Sequence, residues 1–237
     1  MRRTGSAAHF CIPFPLSASP DIRLDLQRSE RLGFDEAIFC AGKAAAHLVQ
    51  ILDQAQQGGM RMLLTRLSAE QFSQLPEAHR SRIDYEPISR TGYFGTPHAT
   101  SGDSRMAVVA AGTSDVFVSR EAARTLRYYG VPHVEMTDVG VAGLWRLLER
   151  VEELRRMSVV IAVAGMDAAL PTVLAGLVSG TVIGVPTSVG YGVATGGHAA
   201  LHALLASCAP GLLVTNIDNG YGAACAALRI LGVTVPK

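Results

Sequence analysis

The amino-acid sequence predicts an α/β protein whose second half is a doubly wound, five-stranded parallel sheet. Three observations support this class. From Met106 onward, five short apolar runs alternate with five segments of helical spacing. The apolar runs are continuous, as in strands that are buried on both faces. Each run is followed by a loop that is rich in glycine, serine, threonine or aspartate.

The strands and helices of this half alternate in the order expected for βαβ units. The predicted strands, each with the helix that follows it, are 106–111 with 118–129, 133–137 with 143–155, 158–164 with 168–178, 182–185 with 197–207, and 212–216 with 221–231. Because right-handed crossovers place helices on both faces of a parallel sheet, these units give a flavodoxin-like, three-layer α/β/α sandwich.

The first half of the chain is more polar and mixed. We expect a flexible tail over 1–20, an N-terminal domain over 21–103 and the sheet domain over 104–237, with a linker in HATSGDS at 98–104. We expect the N-terminal domain to be a small α/β unit. Its predicted elements are an apolar run at 36–40, a helix at 43–57 and a strand at 61–65, followed by irregular sequence.

Composition argues against several classes of protein. The 237 residues are 49% hydrophobic and 17% charged, which is typical of a globular protein and favours a buried subunit interface. A net charge of +1 gives no case for a nucleic-acid or membrane partner. Four widely spaced cysteines without a CxxC motif argue against a disulfide framework and a zinc site. With no signal peptide and no convincing membrane span, we expect a cytoplasmic protein.

The loops that follow the five strands form the predicted site, because ligands of such sheets bind beyond the carboxyl ends of the strands. No GxGxxG follows the first strand and no GxxxxGK[ST] is present, so the usual NAD and ATP sites are poorly supported. The candidate binding residues in these loops are Gly112, Thr113, Ser114, Asp138, Gly140, Gly165, Met166, Pro186, Thr187, Ser188, Gly190, Tyr191, Gly192, Asn216, Asp218 and Asn219.

Hydroxyl and carboxylate groups supply the chemistry of these loops. Thr113 and Ser114 can hold a phosphate or carboxylate together with free N–H groups of the following helix, although Ser114 or Asp115 can also be simple N-caps. Four carboxylates stand at strand ends, where each can bind Mg²⁺, transfer a proton, bind a ribose or cap a helix. They are Asp115, Asp138, Asp167 and Asp218.

Cys208 is predicted at the C-terminal end of a helix, near the start of the last strand. It can be an inert apolar residue there, since the negative partial charge of a helix C-terminus disfavours a thiolate. The start of a strand lies at the opposite edge from the five loops. A long excursion of 186–197 or a neighbouring subunit is therefore needed to bring this thiol to them, and position alone does not predict catalysis.

Six motifs follow one another from about residue 106 to the end of the chain. They are AAGTSDVFVSREA, TDVGVAGLWRLL, VVIAVAGMDAALPTVLAGLV, VIGVPTSVGYG, GGHAALHALLASCAPG and VTNIDNGYGAA. Taken in order, they resemble those of the LarB family of lactate-racemase maturation proteins. A weaker motif, RLGFDEAIFCAGK at 31–43, resembles the start of that family's N-terminal domain. The second half of the chain is also distantly similar to the purine-pathway carboxylase/mutase PurE.

The resemblance implies the first step of nickel-pincer nucleotide biosynthesis. In that step, CO₂ or bicarbonate supplies a carboxyl group to C5 of the pyridinium ring of nicotinic acid adenine dinucleotide (deamido-NAD). The phosphoanhydride is hydrolysed to release AMP, leaving pyridinium-3,5-biscarboxylate mononucleotide. The resemblance also implies a PurE-like sheet domain and a homo-octamer. Intersubunit packing is one way to bring Cys208 to the loops.

The resemblance further implies roles for single residues. Cys208 matches the cysteine of the SCA motif, the proposed covalent catalyst of the family. Asp115 and Asp167 are candidates for proton transfer, and Asp138 and Asp218 are candidates for Mg²⁺ bound to the diphosphate. Two positions depart from the family pattern, because Asp167 stands where glutamate is expected and Trp145 stands where many relatives have histidine.

Two other functions stay open. Aminoimidazole ribonucleotide carboxylase activity is disfavoured, because AGMDAALP lacks the histidine of the comparable AAHLPG stretch in PurE and because PurE needs no catalytic thiol. A nucleotide-binding scaffold without catalytic activity is the second alternative, and the departures at Trp145 and Asp167 keep it open.

Overall fold

Two β-sheets organise the protein, one in each half of the chain. The structure is a computed structural model that describes residues 22–233, so the tail expected over 1–20 lies outside the described residues. The strands within this range are β1 (Ala37–Phe39), β2 (Met62–Thr65), β3 (Ile83–Glu86), β4 (Thr91–Phe94), β5 (Met106–Ala110), β6 (His133–Met136), β7 (Val159–Ala164), β8 (Thr181–Pro186) and β9 (Leu213–Val214).

Helices connect these strands and cover both sheets. Between residues 22 and 233 they are α1 (Arg28–Leu32), α2 (Ala45–Gln57), α3 (Ala69–Gln74), α4 (Glu77–Arg80), α5 (Val116–Tyr128), α6 (Leu144–Leu148), α7 (Val151–Leu154), α8 (Ala169–Leu177), α9 (His198–Leu205) and α10 (Gly220–Ile230). None of these helices is long and apolar enough to cross a membrane.

The second sheet is parallel throughout, with strand order β6-β5-β7-β8-β9. This confirms the predicted class and the predicted five strands. The last strand is shorter than predicted, since only Leu213 and Val214 pair with Ile183 and Gly184 of β8. β9 is an edge strand, so it forms ladder hydrogen bonds with one neighbouring strand, β8, and has fewer bonds to lengthen it than a central strand has. The helix predicted over 143–155 is two helices, α6 and α7, because Arg150 leaves helical geometry at φ −108° and ψ 1°.

Successive residues of each central strand point into separate hydrophobic cores. Met106 and Val108 lie in the core beneath α5 and α10, whereas Ala107 and Val109 lie in the core beneath α6, α7, α8 and α9. Burial on both faces accounts for the continuous apolar runs in the sequence. The three-layer arrangement follows from this alternation.

The first sheet is mixed, with strand order β1-β2-β4-β3. β1 and β2 are parallel, and β4 is antiparallel to both β2 and β3. A small α/β unit in this half is thus confirmed, but the irregular sequence predicted after residue 65 is wrong, because α3, α4, β3 and β4 lie there. The β3–β4 turn contains no glycine. It is held instead by the Glu86 carboxylate, which accepts hydrogen bonds from the Ser89 amide at 2.7 Å and the Ser89 hydroxyl at 2.5 Å.

Helix α5 joins the two halves through polar groups that are buried. The Arg124 side chain donates to the Thr91 hydroxyl at 2.7 Å and to the Asp84 carbonyl at 2.8 Å. Its guanidinium lies 3.9 Å from the centre of the Tyr93 ring, and the Tyr93 hydroxyl donates back to the Arg124 carbonyl at 2.7 Å. One arginine therefore ties α5 to two strands of the first sheet.

Replacing Arg124 by alanine is expected to lower the free energy of unfolding by about 3 kcal/mol. The Thr91 hydroxyl and the Asp84 carbonyl lose a charged donor inside the protein, and Tyr93 loses its cation–π partner. Chemical denaturation measures the change. Arg127→Ala is the matched control, because Arg127 makes an exposed ion pair with Glu135 that is worth about 0.5 kcal/mol. Equal losses of unfolding free energy in Arg124→Ala and Arg127→Ala would show that the buried contacts of Arg124 do not stabilise the protein.

Candidate functional site

The carboxyl ends of β5, β7, β8 and β9 meet around the buried side chain of Asp115. One carboxylate oxygen accepts a hydrogen bond from the Thr187 hydroxyl at 2.7 Å, and the other accepts from the Gly112 amide at 3.0 Å. Asp115 ends a short 3₁₀ turn, Thr113–Asp115, that leads directly into α5. The loops after β5 and β8 are thereby joined through one carboxylate.

Burial raises the pKa of the Asp115 carboxyl, and the negative charge of nearby Asp218 acts in the same direction. Hydrogen bonds from Thr187 and from the amides of Gly112 and Gly165 partly offset this rise. A carboxylate with a raised pKa binds a proton more readily than one in water. The environment of Asp115 therefore suits a proton acceptor that faces four strand ends.

The loops after β7 and β8 pack too closely for a side chain between them. The Met166 amide donates to the Val189 carbonyl at 2.9 Å. A Cβ atom on Gly165 would lie 2.4 Å from that carbonyl oxygen and 2.6 Å from the Thr187 hydroxyl. The glycine at 165 is thus required by the approach of a neighbouring loop.

Asp218 joins the loop after β9 to the loop after β8. Its carboxylate accepts from the Ser188 amide at 2.7 Å, and its own amide donates to the Pro186 carbonyl at 2.8 Å. Its backbone has a φ of +57°, a conformation that is uncommon for a residue with a side chain. Within residues 22–233 the same holds for three more residues at the strand ends of this sheet, which are Asp138, Met166 and Ala168. Backbone strain of this kind concentrates at functional sites.

The structure does not bring the two candidate magnesium ligands together. Asp138 follows β6 and Asp218 follows β9, at opposite edges of the sheet, four strand spacings or about 19 Å apart. The Asp138 carboxylate is also paired with the Arg146 guanidinium. Residues 22–233 contain no cluster of three or more histidine, cysteine, aspartate or glutamate side chains that could hold a metal. These residues therefore do not fit one protein-held magnesium ion.

Several other candidates have structural roles or lie at the rim. The Asn219 side chain accepts from the Gly222 amide at 2.8 Å and caps α10, and the Gly140 amide donates to the Ala111 carbonyl at 2.8 Å. The Asn216 carboxamide accepts from the next amide in the chain, and Gly190 packs against Ala194. The exposed candidates are Thr113, Ser114, Met166, Asp167, Ser188, Tyr191, Gly192 and Asn216.

Cys208 lies in the loop between α9 and β9 and is exposed. The Ser207 hydroxyl next to it lies 2.8 Å from the Thr172 hydroxyl of α8 and accepts from the Ala209 amide at 3.2 Å, so this loop is held against the sheet domain. This loop precedes β9, so it lies at the amino ends of the strands, whereas the loop after β9 lies at their carboxyl ends. Within one chain, the thiol and the Asp115 cluster are on different sides of the molecule.

The other described cysteines have different environments. Cys40 is buried and Cys225 is half-buried, and burial raises the pKa of these thiols to about 12 and about 11, respectively. Thiols with such pKa values are poor nucleophiles near neutral pH. Among the cysteines within residues 22–233, Cys208 is the one that is exposed.

Two charged residues beside the candidate site, Arg66 and Glu121, were not among the residues predicted from sequence. Glu121 of α5 is 3% exposed and accepts from the Tyr221 amide at 3.2 Å, and Arg66 reaches it from the first sheet at 3.1 Å. A charged residue directly after the apolar run of β2 was the available signal for Arg66. Glu121 has no such signal. A glutamate on an amphipathic helix is expected to be exposed, and the sequence does not show that Arg66 of the first half covers it.

Comparisons with known proteins place both halves of the chain in known families. Residues 20–96 match the LarB/PurE-like N-terminal domain, and residues 105–237 match the AIR carboxylase domain. An uncharacterized protein of Methanocaldococcus jannaschii is 32% identical over 85% of this chain and 80% of its own length. The N5-carboxyaminoimidazole ribonucleotide mutase of Pyrococcus horikoshii is 35% identical over 55% of this chain and 73% of its own length.

Solved structures of PurE proteins are similar to part of the chain. The crystal structure of a variant of Treponema denticola PurE2 is 19% identical, covers 54% of this chain and 79% of its own, and has a TM-score of 0.46. Treponema denticola PurE is 19% identical over 54% of this chain and 80% of its own, with a TM-score of 0.42.

Proposed function

This chain belongs to the LarB family of PurE-like, carboxylase/mutase-related proteins, and we propose that it carboxylates the pyridinium ring of deamido-NAD. The reaction adds CO₂ at C5 and hydrolyses the phosphoanhydride. The products are AMP and pyridinium-3,5-biscarboxylate mononucleotide, the precursor of the nickel-pincer cofactor used in lactate racemisation. The single observation that carries this proposal is the exposed thiol of Cys208, at the SCA motif of a chain in this family.

The substrate's chemistry explains why a thiol is needed. A pyridinium carbon is electron-poor and does not attack CO₂. Addition of the Cys208 thiolate at C4 forms a C–S bond, moves an electron pair to the ring nitrogen and leaves an enamine across C5–C6. C5 then attacks CO₂ and forms the new C–C bond. Loss of the C5 proton to a base restores the aromatic ring as the C–S electron pair returns to sulfur.

Two carboxylates are assigned to proton transfer. Asp115 is assigned as the base, because burial raises the pKa of its carboxyl and the hydrogen bond from Thr187 holds that carboxyl in one position. Asp167 is exposed beside the same loops, where water can reach its side chain. We assign the C5 proton to Asp115 and the water that cleaves the phosphoanhydride to Asp167.

In this proposal, a homo-octamer brings Cys208 of one subunit to the loops around Asp115 of another. Cys208 and the Asp115 cluster lie on different sides of one chain, so the thiol of one subunit acts at the loops of its neighbour. Exposed apolar side chains are available for such contacts on α6, in the 186–197 segment and next to Cys208. They are Leu144, Trp145, Leu148, Tyr191, Val193, Leu205 and Leu213.

Trp145→Glu is expected to reduce the assembly to smaller species and to lower carboxylation at least tenfold. The Trp145 side chain is 62% exposed in one chain, and burying a new charge at an interface is costly. Native mass spectrometry measures the assembly and a product assay measures activity. Glu77→Lys on α4 is the control, because it changes charge on an exposed helix of the first half. An intact assembly in Trp145→Glu would show that Trp145 does not lie at the subunit interface.

The proposal is tested by incubating the protein with deamido-NAD and ¹³C-bicarbonate, with and without Mg²⁺. Mass spectrometry should detect AMP and a mononucleotide that has gained one labelled carboxyl group. Binding of deamido-NAD without turnover would instead support a scaffold. Turnover of aminoimidazole ribonucleotide, or of the N5-carboxyaminoimidazole ribonucleotide in the names of the mutase relatives, would support the purine alternative.

A further inference from the structure

Arg66 links the first half of the chain to the candidate site. It directly follows β2, and its backbone has a φ of +55°, which is uncommon for a residue with a side chain. Its Nε donates to Glu121 Oε1 at 3.1 Å, and its Nη2 donates to the Asp218 carbonyl. Both acceptors belong to the second half of the chain. A residue of the first sheet thus contacts the loop after β9.

The Glu121 carboxylate has its charge neutralised mainly by this arginine. Burial raises the pKa of the Glu121 carboxyl, while Arg66 and the amides of Tyr221 and Gly220 lower it. Removing the guanidinium would leave a buried carboxylate with only backbone donors, which is an expensive arrangement. The first turn of α10 is held by that carboxylate through the Tyr221 amide at 3.2 Å.

The same loop orients residues at the centre of the site. The carbonyl of Asp218 accepts from Arg66, while its carboxylate accepts from the Ser188 amide in the loop after β8. A shift of the Asp218 backbone would therefore also move Ser188. The neighbouring Thr187 hydroxyl is bonded to Asp115, so a chain of direct contacts connects Arg66 to the buried carboxylate.

From these contacts we propose that Arg66 is a positioning residue that holds the 216–220 loop in its working geometry. The N-terminal half thereby supports the site of the sheet domain by an ion pair and a hydrogen bond. A guanidinium can make both contacts at once because its donors diverge from a planar group, whereas a lysine amine is a single point charge. Its effect on turnover rests on the proposed function, but its effect on loop stability does not.

Hydrogen–deuterium exchange of the Ser188 and Tyr221 amides in the full chain tests the proposal. Arg66→Ala is expected to speed exchange at both amides by about tenfold or more, the ratio expected for the loss of one charged hydrogen bond. Arg66→Lys should give a smaller increase and remains informative if the alanine variant does not fold. Arg127→Ala is the matched control, since it removes an exposed ion pair from α5, the helix that carries Glu121. Unchanged exchange in both Arg66 variants would overturn the proposal.

Kinetics separate positioning from direct substrate binding. If wild-type protein carboxylates deamido-NAD, Arg66→Ala should lower kcat by about tenfold with little change in KM, and Arg66→Lys should recover part of the loss. A rise in KM alone would mean that Arg66 binds substrate and would overturn the positioning role. If wild-type protein does not turn over deamido-NAD, the proposed function fails while the exchange experiment still decides the role of Arg66.

Discussion

Cys208→Ala is expected to abolish carboxylation of deamido-NAD and to leave the fold unchanged. Without a covalent adduct, C5 of the ring stays electron-poor, so we expect the rate to fall at least about a thousandfold, or about 4 kcal/mol of activation free energy. The Cys208 side chain is exposed. Its removal should therefore cost little stability. Product formation by mass spectrometry measures the activity.

Two further variants sharpen this experiment. Cys208→Ser should also be inactive, because an alcohol is less acidic than a thiol and a worse leaving group. Cys225→Ala is the control for the loss of a thiol, since burial raises the pKa of Cys225 to about 11 and keeps it unreactive. Full turnover by Cys208→Ala would rule out the covalent mechanism, and loss of activity in the Cys225 variant would mean that thiol loss alone is not diagnostic.

Gly165→Ala is expected to lower the free energy of unfolding by about 3 kcal/mol and to remove activity. The added Cβ would lie 2.4 Å from the Val189 carbonyl oxygen and 2.6 Å from the Thr187 hydroxyl, well inside contact distance. A backbone carbonyl that is itself bonded to the Met166 amide cannot move freely. The loops after β7 and β8 must separate, which costs packing energy and displaces Thr187 from Asp115.

Gly176→Ala is a control in which the free energy of unfolding is expected to rise instead of fall. Gly176 lies on α8, and an added Cβ there meets no atom within 4 Å. Alanine has a higher helix propensity than glycine, so this variant should gain about 0.5–1 kcal/mol. Chemical denaturation of both variants gives the comparison. If Gly165→Ala were as stable as Gly176→Ala, the close approach of the two loops would be disproved.

Sequence patterns predicted the second sheet well and the first sheet less well. The five apolar runs became β5 to β9, because a strand buried on both faces must be apolar along its length. The β3–β4 hairpin left no such pattern. Its turn is stabilised by a side chain, Glu86, rather than by the glycine or asparagine that usually marks a hairpin. The spacing over 118–129 predicted helix α5, but not the burial of its charged residues Glu121 and Arg124.

The meeting of the candidate loops was predicted, but the contacts between them were not. Topology alone places the loops after parallel strands at one edge, and Asp115 and Thr187 lie there in hydrogen-bond contact. Neither their pairing nor the separation of Asp138 from Asp218 could be predicted, since strand order was not part of the prediction. The position of Cys208 before β9 was expected from its place in the sequence, and the structure adds that it is exposed.

By itself, the sequence determined the class of the fold, the end of the sheet at which the candidate loops meet and the family motifs. These properties depend on residues that are neighbours along the chain, where hydrophobic periodicity and turn chemistry act. Only the tertiary structure decided which loops touch, which cysteine is open to solvent and that Arg66 reaches Glu121 and Asp218. Those contacts join residues up to 152 positions apart, and their energies depend on burial and distance, which appear only when the chain is folded.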